Sequence, residues 1–160
     1  MYLSHTVTSF LGKRDVEYET IGHRHTMTSN QSAACAHVRR AQVAKAVLFC
    51  DEEDYVLAVI PASARVDESA LSELLGQRAL SLAGEDEISM VFPDCEVGAI
   101  PPLGRAYGVD TVVDASLLVQ DDVYFEGGDH EHVRGNDFRR LMAGIPRGVI
   151  SEDGHPSQYA

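Results

Sequence analysis

Gln42-Val43-Ala44-Lys45-Ala46-Val47-Leu48-Phe49 is a short apolar run with one cation in its middle. Runs of this length and composition make buried strands. Beyond it, Asp51-Glu52-Glu53-Asp54 leads into a second apolar run, Tyr55–Ile60. A polar connector of that length predicts a hairpin, so the two strands should be antiparallel. Pro61 has no N–H to give to a ladder and is expected to end the second strand. Lys45 is the residue that a buried strand does not need. The only other lysine, Lys13, lies in a polar segment where a charge requires no explanation. An ammonium in an apolar strand either snorkels to water from a sheet edge or faces a cleft, where it can hold a phosphate or a carbonyl oxygen. The sequence leaves both open.

Working outward, Met1–Asp15 is polar and irregular and is expected to be loosely held. Val16–Ile21 alternates as a strand does. His23–Asn30 reads as a loop feeding a helix over Ser32–Arg40, with Arg39 and Arg40 in its last turn, where cations suit the dipole. On the other side, Asp67 caps a helix that ends before Gly76. Ala79–Ala83 is a short strand, and Gly84–Phe92 is a helix with Glu85, Asp86 and Glu87 in its first turn. Asp110–Val113 is a strand, Asp114–Leu118 a short capped helix, and Val123–Phe125 a strand ending at Gly127-Gly128. His130–Arg134 is a last strand, and Asn136 or Asp137 caps a helix over Phe138–Ala143. Past Gly144 the chain should fray. The division expected is a flexible segment 1–15, one domain over 16–143 and a flexible tail 144–160.

A chain of 160 residues forms one compact domain with a core rather than two. No run approaches the roughly 20 apolar residues of a membrane span, and no leader pattern is seen, so a cytoplasmic location is expected. Cys35, Cys50 and Cys95 are an odd number without CxxC spacing, which argues against a disulfide framework or a cysteine zinc site. The pairs His23/His25 and His130/His132 have the spacing of two ligands on one strand face, but no third ligand is marked, so no metal and no cofactor are expected. The net charge of −12 opposes a nucleic-acid partner. Its distribution does not: Thr20–Cys50 holds no Asp or Glu, yet carries Arg24, Arg39, Arg40 and Lys45 with His23, His25 and His37. Either this is a solvated face, or it is an anion-facing surface on an otherwise acidic protein.

Glu96-Val97-Gly98-Ala99-Ile100-Pro101-Pro102-Leu103-Gly104 follows neither periodicity. Its prolines fix φ and remove two donors, leaving the amides of Gly98, Ala99 and Ile100 free to point at something. It is a rigid connector, or a loop whose N–H groups bind an oxyanion.

The run Val43–Leu48, then Leu57–Pro61, then Gly98–Gly104 followed by Val109–Asp114, and finally Tyr124–Gly128 with Asp137-Phe138 beyond, resembles the YbaK/prolyl-tRNA-synthetase-associated domain family over nearly all of residues 16–143. That resemblance implies an α+β fold, a single compact domain with a central, mostly antiparallel sheet flanked by helices. It implies a metal-independent aminoacyl-tRNA deacylase acting in trans, which hydrolyses the ester of a mischarged tRNA, commonly tRNA for proline carrying alanine or cysteine. Position by position, Lys45 matches the family's essential lysine and Gly98–Pro102 its GxxxP loop. Asp137 stands where the family has an acidic residue opening the last helix, and His23 falls near an often aromatic position. The family's lysine-threonine pair is Lys45-Ala46 here, so a hydroxyl is missing.

On this reading the amides of Gly98, Ala99 and Ile100 meet the oxyanion and Lys45 holds the terminal adenosine phosphate or the aminoacyl end. Pro101, Pro102, His23, His37, Arg40 and Asp137 complete the binding surface. No Ser-His-Asp or Cys-His arrangement is seen, which argues against a protein nucleophile; the resemblance implies that a ribose hydroxyl of the tRNA itself orients the water. The partner is the acceptor end of an aminoacyl-tRNA, with an aminoacyl-tRNA synthetase as the further partner the family suggests. A rival of a different class is a non-catalytic adaptor of the same fold that binds tRNA or a synthetase. A metal-binding protein using His130 and His132 is a third.

Overall fold

The computed structural model describes residues 4–14, 18–21, 39–128, 132–135 and 138–153. Its centre is the predicted hairpin: β2 (Val43–Cys50) and β3 (Tyr55–Pro61) run antiparallel, with Lys45 opposite Ile60 and Cys50 opposite Tyr55. Pro61 is the last residue of β3 and sits opposite Ala44, past the Val56–Val59 stretch that pairs with β6 (Asp110–Asp114). Its missing N–H therefore breaks no central rung.

β6 lies parallel to β3 and carries β9 (Arg147–Gly148) on its far edge. On the other side β2 meets β7 (Val123–Glu126), which leads through β8 (His132–Gly135) to β1 (Tyr18–Ile21). The short β5 (Ser81–Leu82) also pairs with β2, at Phe49 and Cys50. Four of the sheet's pairings are antiparallel and three parallel, so the domain is α+β with a mostly antiparallel sheet. β4 (Ala64–Val66) and β10 (Ser151–Asp153) form a separate two-stranded ladder.

Both faces of the sheet are covered, which is why β2 and β3 read as continuous apolar runs rather than alternating ones. One face holds Ala44, Leu48, Leu57, Val59, Val113, Val123 and Phe125 under α1 (His5–Arg14) and α4 (Phe138–Leu141). The other holds Val47, Phe49, Val56, Ala58, Ile60 and Val112 against Leu71 of α2 (Glu68–Leu74). Asp67 caps α2 by accepting from the Ala70 amide at 3.1 Å. α3 (Glu85–Val91) opens with Glu87 accepting from the Gly84 amide at 3.2 Å.

Three expectations are corrected. The first residues are not loose: His5–Arg14 is a helix, and Val7 and Leu11, one turn apart, are fully buried. Its N-terminus is capped from 88 residues away, by Asp94 accepting from the Thr6 amide at 3.0 Å. Nor does the chain fray at Gly144, because β9 and β10 follow and Ile150 is buried between them, its amide donating to Asp114 at 2.9 Å. Finally, Arg39 is extended and Arg40–Gln42 is a 3₁₀ turn, so these arginines do not close an α-helix; residues 22–38 lie outside the described residues.

Candidate active site at the start of β2

Strand alternation decides where Lys45 points. Ala44 and Leu48 belong to the α1 face, whereas Val47, Phe49 and Ile60 belong to the α2 face, and Lys45 shares their parity. It leaves β2 between the Val43–Ala62 contact and the larger α2-side cluster and is only 8% exposed. Burial lowers its pKa to about 8, since a desolvated ammonium loses the hydration that favours its charge. The side chain remains mostly protonated at neutral pH, but it is poised where a modest change in surroundings would discharge it.

Among the described residues the sheet opens beside Lys45. β7 pairs with β2 only at Val43↔Tyr124 and Ala44↔Phe125. The next residue of β7, Glu126, stands level with Lys45 by that register and is 2% exposed. Gly127 and Gly128 follow, and the proline loop is tied to them. The amide of Glu96 donates to Gly128 O at 2.7 Å, and that of Ser4 to Gly127 O at 2.9 Å. Gly128 has φ +106, and a Cβ there would stand 2.9 Å from Ser4 Cβ and 3.1 Å from Cys95 Sγ, so the close approach requires glycine.

A compact polar knot fixes this junction. The Tyr107 hydroxyl donates to Asp94 Oδ1 at 2.7 Å and lies 3.1 Å from both Ser4 Oγ and Cys95 Sγ. Burial pushes the Asp94 carboxyl up, but the hydrogen bonds from Tyr107 and Thr6 outweigh it and hold it at about 2. Burial drives the Cys95 thiol up to about 12 and raises the Tyr107 phenol as well, the latter helped by its bond to Cys95. Cys95 is thus a protonated thiol at neutral pH and no nucleophile, although it adjoins the loop.

The loop itself is partly spent. The Ala99 amide donates to Glu96 O at 3.0 Å, so it is not available, as an i to i+3 turn could have foretold. Among the described residues no backbone carbonyl takes the amides of Gly98 or Ile100, and Gly98 holds φ +90. Pro101 and Pro102 are buried. Ile100 and Leu103 pack into the α1-side core.

Lys45 and the loop therefore start from opposite faces of β2, and the loop is tied to Gly128, two residues past Glu126. Arg40 is exposed just ahead of β2. His23, His37 and Asp137 lie outside the described residues. Glu126 and the Ser4–Asp94–Cys95–Tyr107 knot went unmarked in the sequence because only tertiary pairing assembles them. A separate cleft of about 340 Å³ is lined by Asp114, Glu152 and Asp153 with Ser63, Ser116 and Gln120, and no lining residue is basic; it suits a phosphate poorly. Among the described residues no three His, Cys, Asp or Glu side chains are grouped to hold a metal, and no helix is long and apolar enough to cross a membrane.

The model of the aminoacyl-tRNA editing domain matches residues 23–142, which is 120 of the 160 residues, and the chain belongs to that family. Its fold is shared with solved structures. A crystal structure of the hypothetical protein APE2540 has a TM-score of 0.83 at 24% identity, over 92% of this chain and 100% of that one. A candidate trans-editing enzyme for prolyl-tRNA synthetase has a TM-score of 0.77 at 21% identity, over 94% and 99%. A candidate signal-transduction protein from Marinobacter aquaeolei has a TM-score of 0.72 at 23% identity, and the match covers 95% of this chain but 31% of that one. The same fold thus occurs both alone and as part of a longer chain.

Proposed function

We propose that this protein is a trans-acting deacylase that removes a small amino acid, alanine or cysteine, from a mischarged tRNA such as that for proline. The observation that carries this reading, beyond the family, is a desolvated lysine beside the opening in the sheet onto which the proline loop is tied. Ester hydrolysis passes through a tetrahedral oxyanion, and one preorganised donor aimed at it is worth roughly 3–4 kcal/mol. The amides of Gly98 and Ile100 supply such donors. The Lys45 ammonium holds the terminal phosphate or the ester carbonyl and so positions the bond for water.

Water adds to the ester carbon, the ribose oxygen leaves with a proton, and the vicinal ribose hydroxyl orients the attacking water. With Cys95 held as a thiol, no covalent acyl-enzyme is needed. The acceptor end of the tRNA is met by few cations, so binding is weak and salt-sensitive. A panel of mischarged tRNAs, scored for free amino acid with and without the protein, tests the reading. Release from alanyl- or cysteinyl-tRNA for proline and not from prolyl-tRNA is expected; no release from any member would overturn it.

A further inference from the structure

Among the described residues β2 lacks one rung. Val43 O accepts from the Ala62 amide at 2.7 Å, on the β3 side, and Leu48 O accepts from the Ala83 amide at 2.9 Å, on the opposite side. Alternation then turns the backbone groups of Val43, Lys45, Val47 and Phe49 toward β3 and those of Ala44, Ala46, Leu48 and Cys50 toward the other edge. On that edge β7 meets Ala44, and β5 with Ala83 meets Leu48 and Cys50. Ala46 lies between them. Its N–H and C=O both face the opening, and no backbone group among the described residues pairs with either. Ala46 is half-buried, and backbone polar groups so placed are normally bonded.

The opening asks for a group that offers one donor and one acceptor with the spacing of a strand residue. An aminoacyl ester has that pattern: the α-ammonium donates, and the carbonyl two bonds away accepts. In an antiparallel hydrogen-bonded pair two residues exchange both N–H···O bonds, and one residue added to a free edge is the smallest case of strand augmentation. We infer that Ala46 reads the aminoacyl end through its backbone, its C=O taking the substrate's α-ammonium and its N–H taking the ester carbonyl, next to Lys45. This rests on the deacylase reading and adds to it the recognition of the α-amino group. It also explains how the site works with alanine after the lysine, since a backbone rung needs no side-chain hydroxyl.

Two measurements test it. Amide hydrogen exchange is followed with 3′-deoxy-3′-(L-alanylamino)adenosine, which carries the amine and carbonyl but resists hydrolysis. Exchange at Ala46 should slow at least tenfold while Val47, already turned to β3, stays unchanged; an unchanged Ala46 amide under saturating analogue overturns the inference. Deacylation of alanyl-tRNA is then compared with that of propionyl-tRNA, which lacks the amine, each relative to its spontaneous hydrolysis. A preference for the alanyl ester of tenfold or more is expected, and equal relative rates overturn it. If neither ester is cleaved the deacylase reading fails, and protection of Ala46 by the analogue alone would still establish the rung as a binding site.

Discussion

The two ends of β2 treat their polar groups in opposite ways. At the hairpin end, Asp51 Oδ1 accepts from the amides of Glu53 and Asp54 at 2.8 and 2.7 Å, and Oδ2 meets Arg78 at 2.7–2.8 Å. These backbone bonds, then Arg78, hold the carboxyl below its usual range. Both edges of the strand are paired there, with β3 and β5. At the other end a lysine is buried in a setting that penalises its charge, and no described strand pairs with Ala46 on the edge away from β3. The hairpin end consumes its hydrogen bonds internally and shapes the fold. The starting end holds a desolvated ammonium beside a backbone donor–acceptor pair that no described strand takes up, and natural proteins keep such costs mainly where function needs them.

Substitutions can break or sharpen this contrast. Lys45→Met should have the largest effect, lowering deacylation at least 100-fold in a single-turnover assay while leaving the melting temperature unchanged or higher. The sign follows from the lowered pKa. Between about 8 and the unfolded value near 10.5, the unfolded chain binds the proton that the folded chain has lost, so stability rises with pH across that window. Below it the buried charge opposes folding, by up to about 3 kcal/mol. Activity that needs the ammonium should fall as pH rises through about 8; a rise there would mean that the neutral amine acts instead.

Gly98→Ala should come next. A left-handed residue with a Cβ costs about 1–2 kcal/mol, and the displaced loop should lose about tenfold in kcat, measured beside a thermal melt. Tyr107→Phe removes the hydroxyl that joins Ser4, Asp94 and Cys95. We expect a loss of stability of about 1–3 kcal/mol by denaturant titration and a several-fold fall in kcat with little change in KM. At the hairpin end, Arg78→Ala should alter stability by less than about 1 kcal/mol and leave deacylation within twofold.

How much of this was legible depended on whether the cause was local. The Asp51–Asp54 connector, the Asp67 cap and the apolar run around Lys45 depend on near neighbours, and the hairpin and α2 read correctly. α1 did not, because its docking needs two apolar residues, Val7 and Leu11, and a cap from Asp94 far along the chain. β9 and β10 are two and three residues long and exist because Val113, Asp114 and β4 offer them edges. Lys45 and the proline loop could be singled out as unusual from the residues alone. Where they stand relative to one another depends on β7 ceasing to pair with β2 after Phe125, and nothing local to either stretch announces this.

The most direct measurement is a backbone and lysine-side-chain NMR titration with the non-hydrolysable alanyl-adenosine amide. Shifts concentrated together at Lys45, Gly98 and Ile100, with Asp51 and Arg78 silent, are the predicted result. Shifts at Lys45 or the loop alone, or centred on Asp114 and Ser116 of the acidic cleft, would contradict a single site at the start of β2.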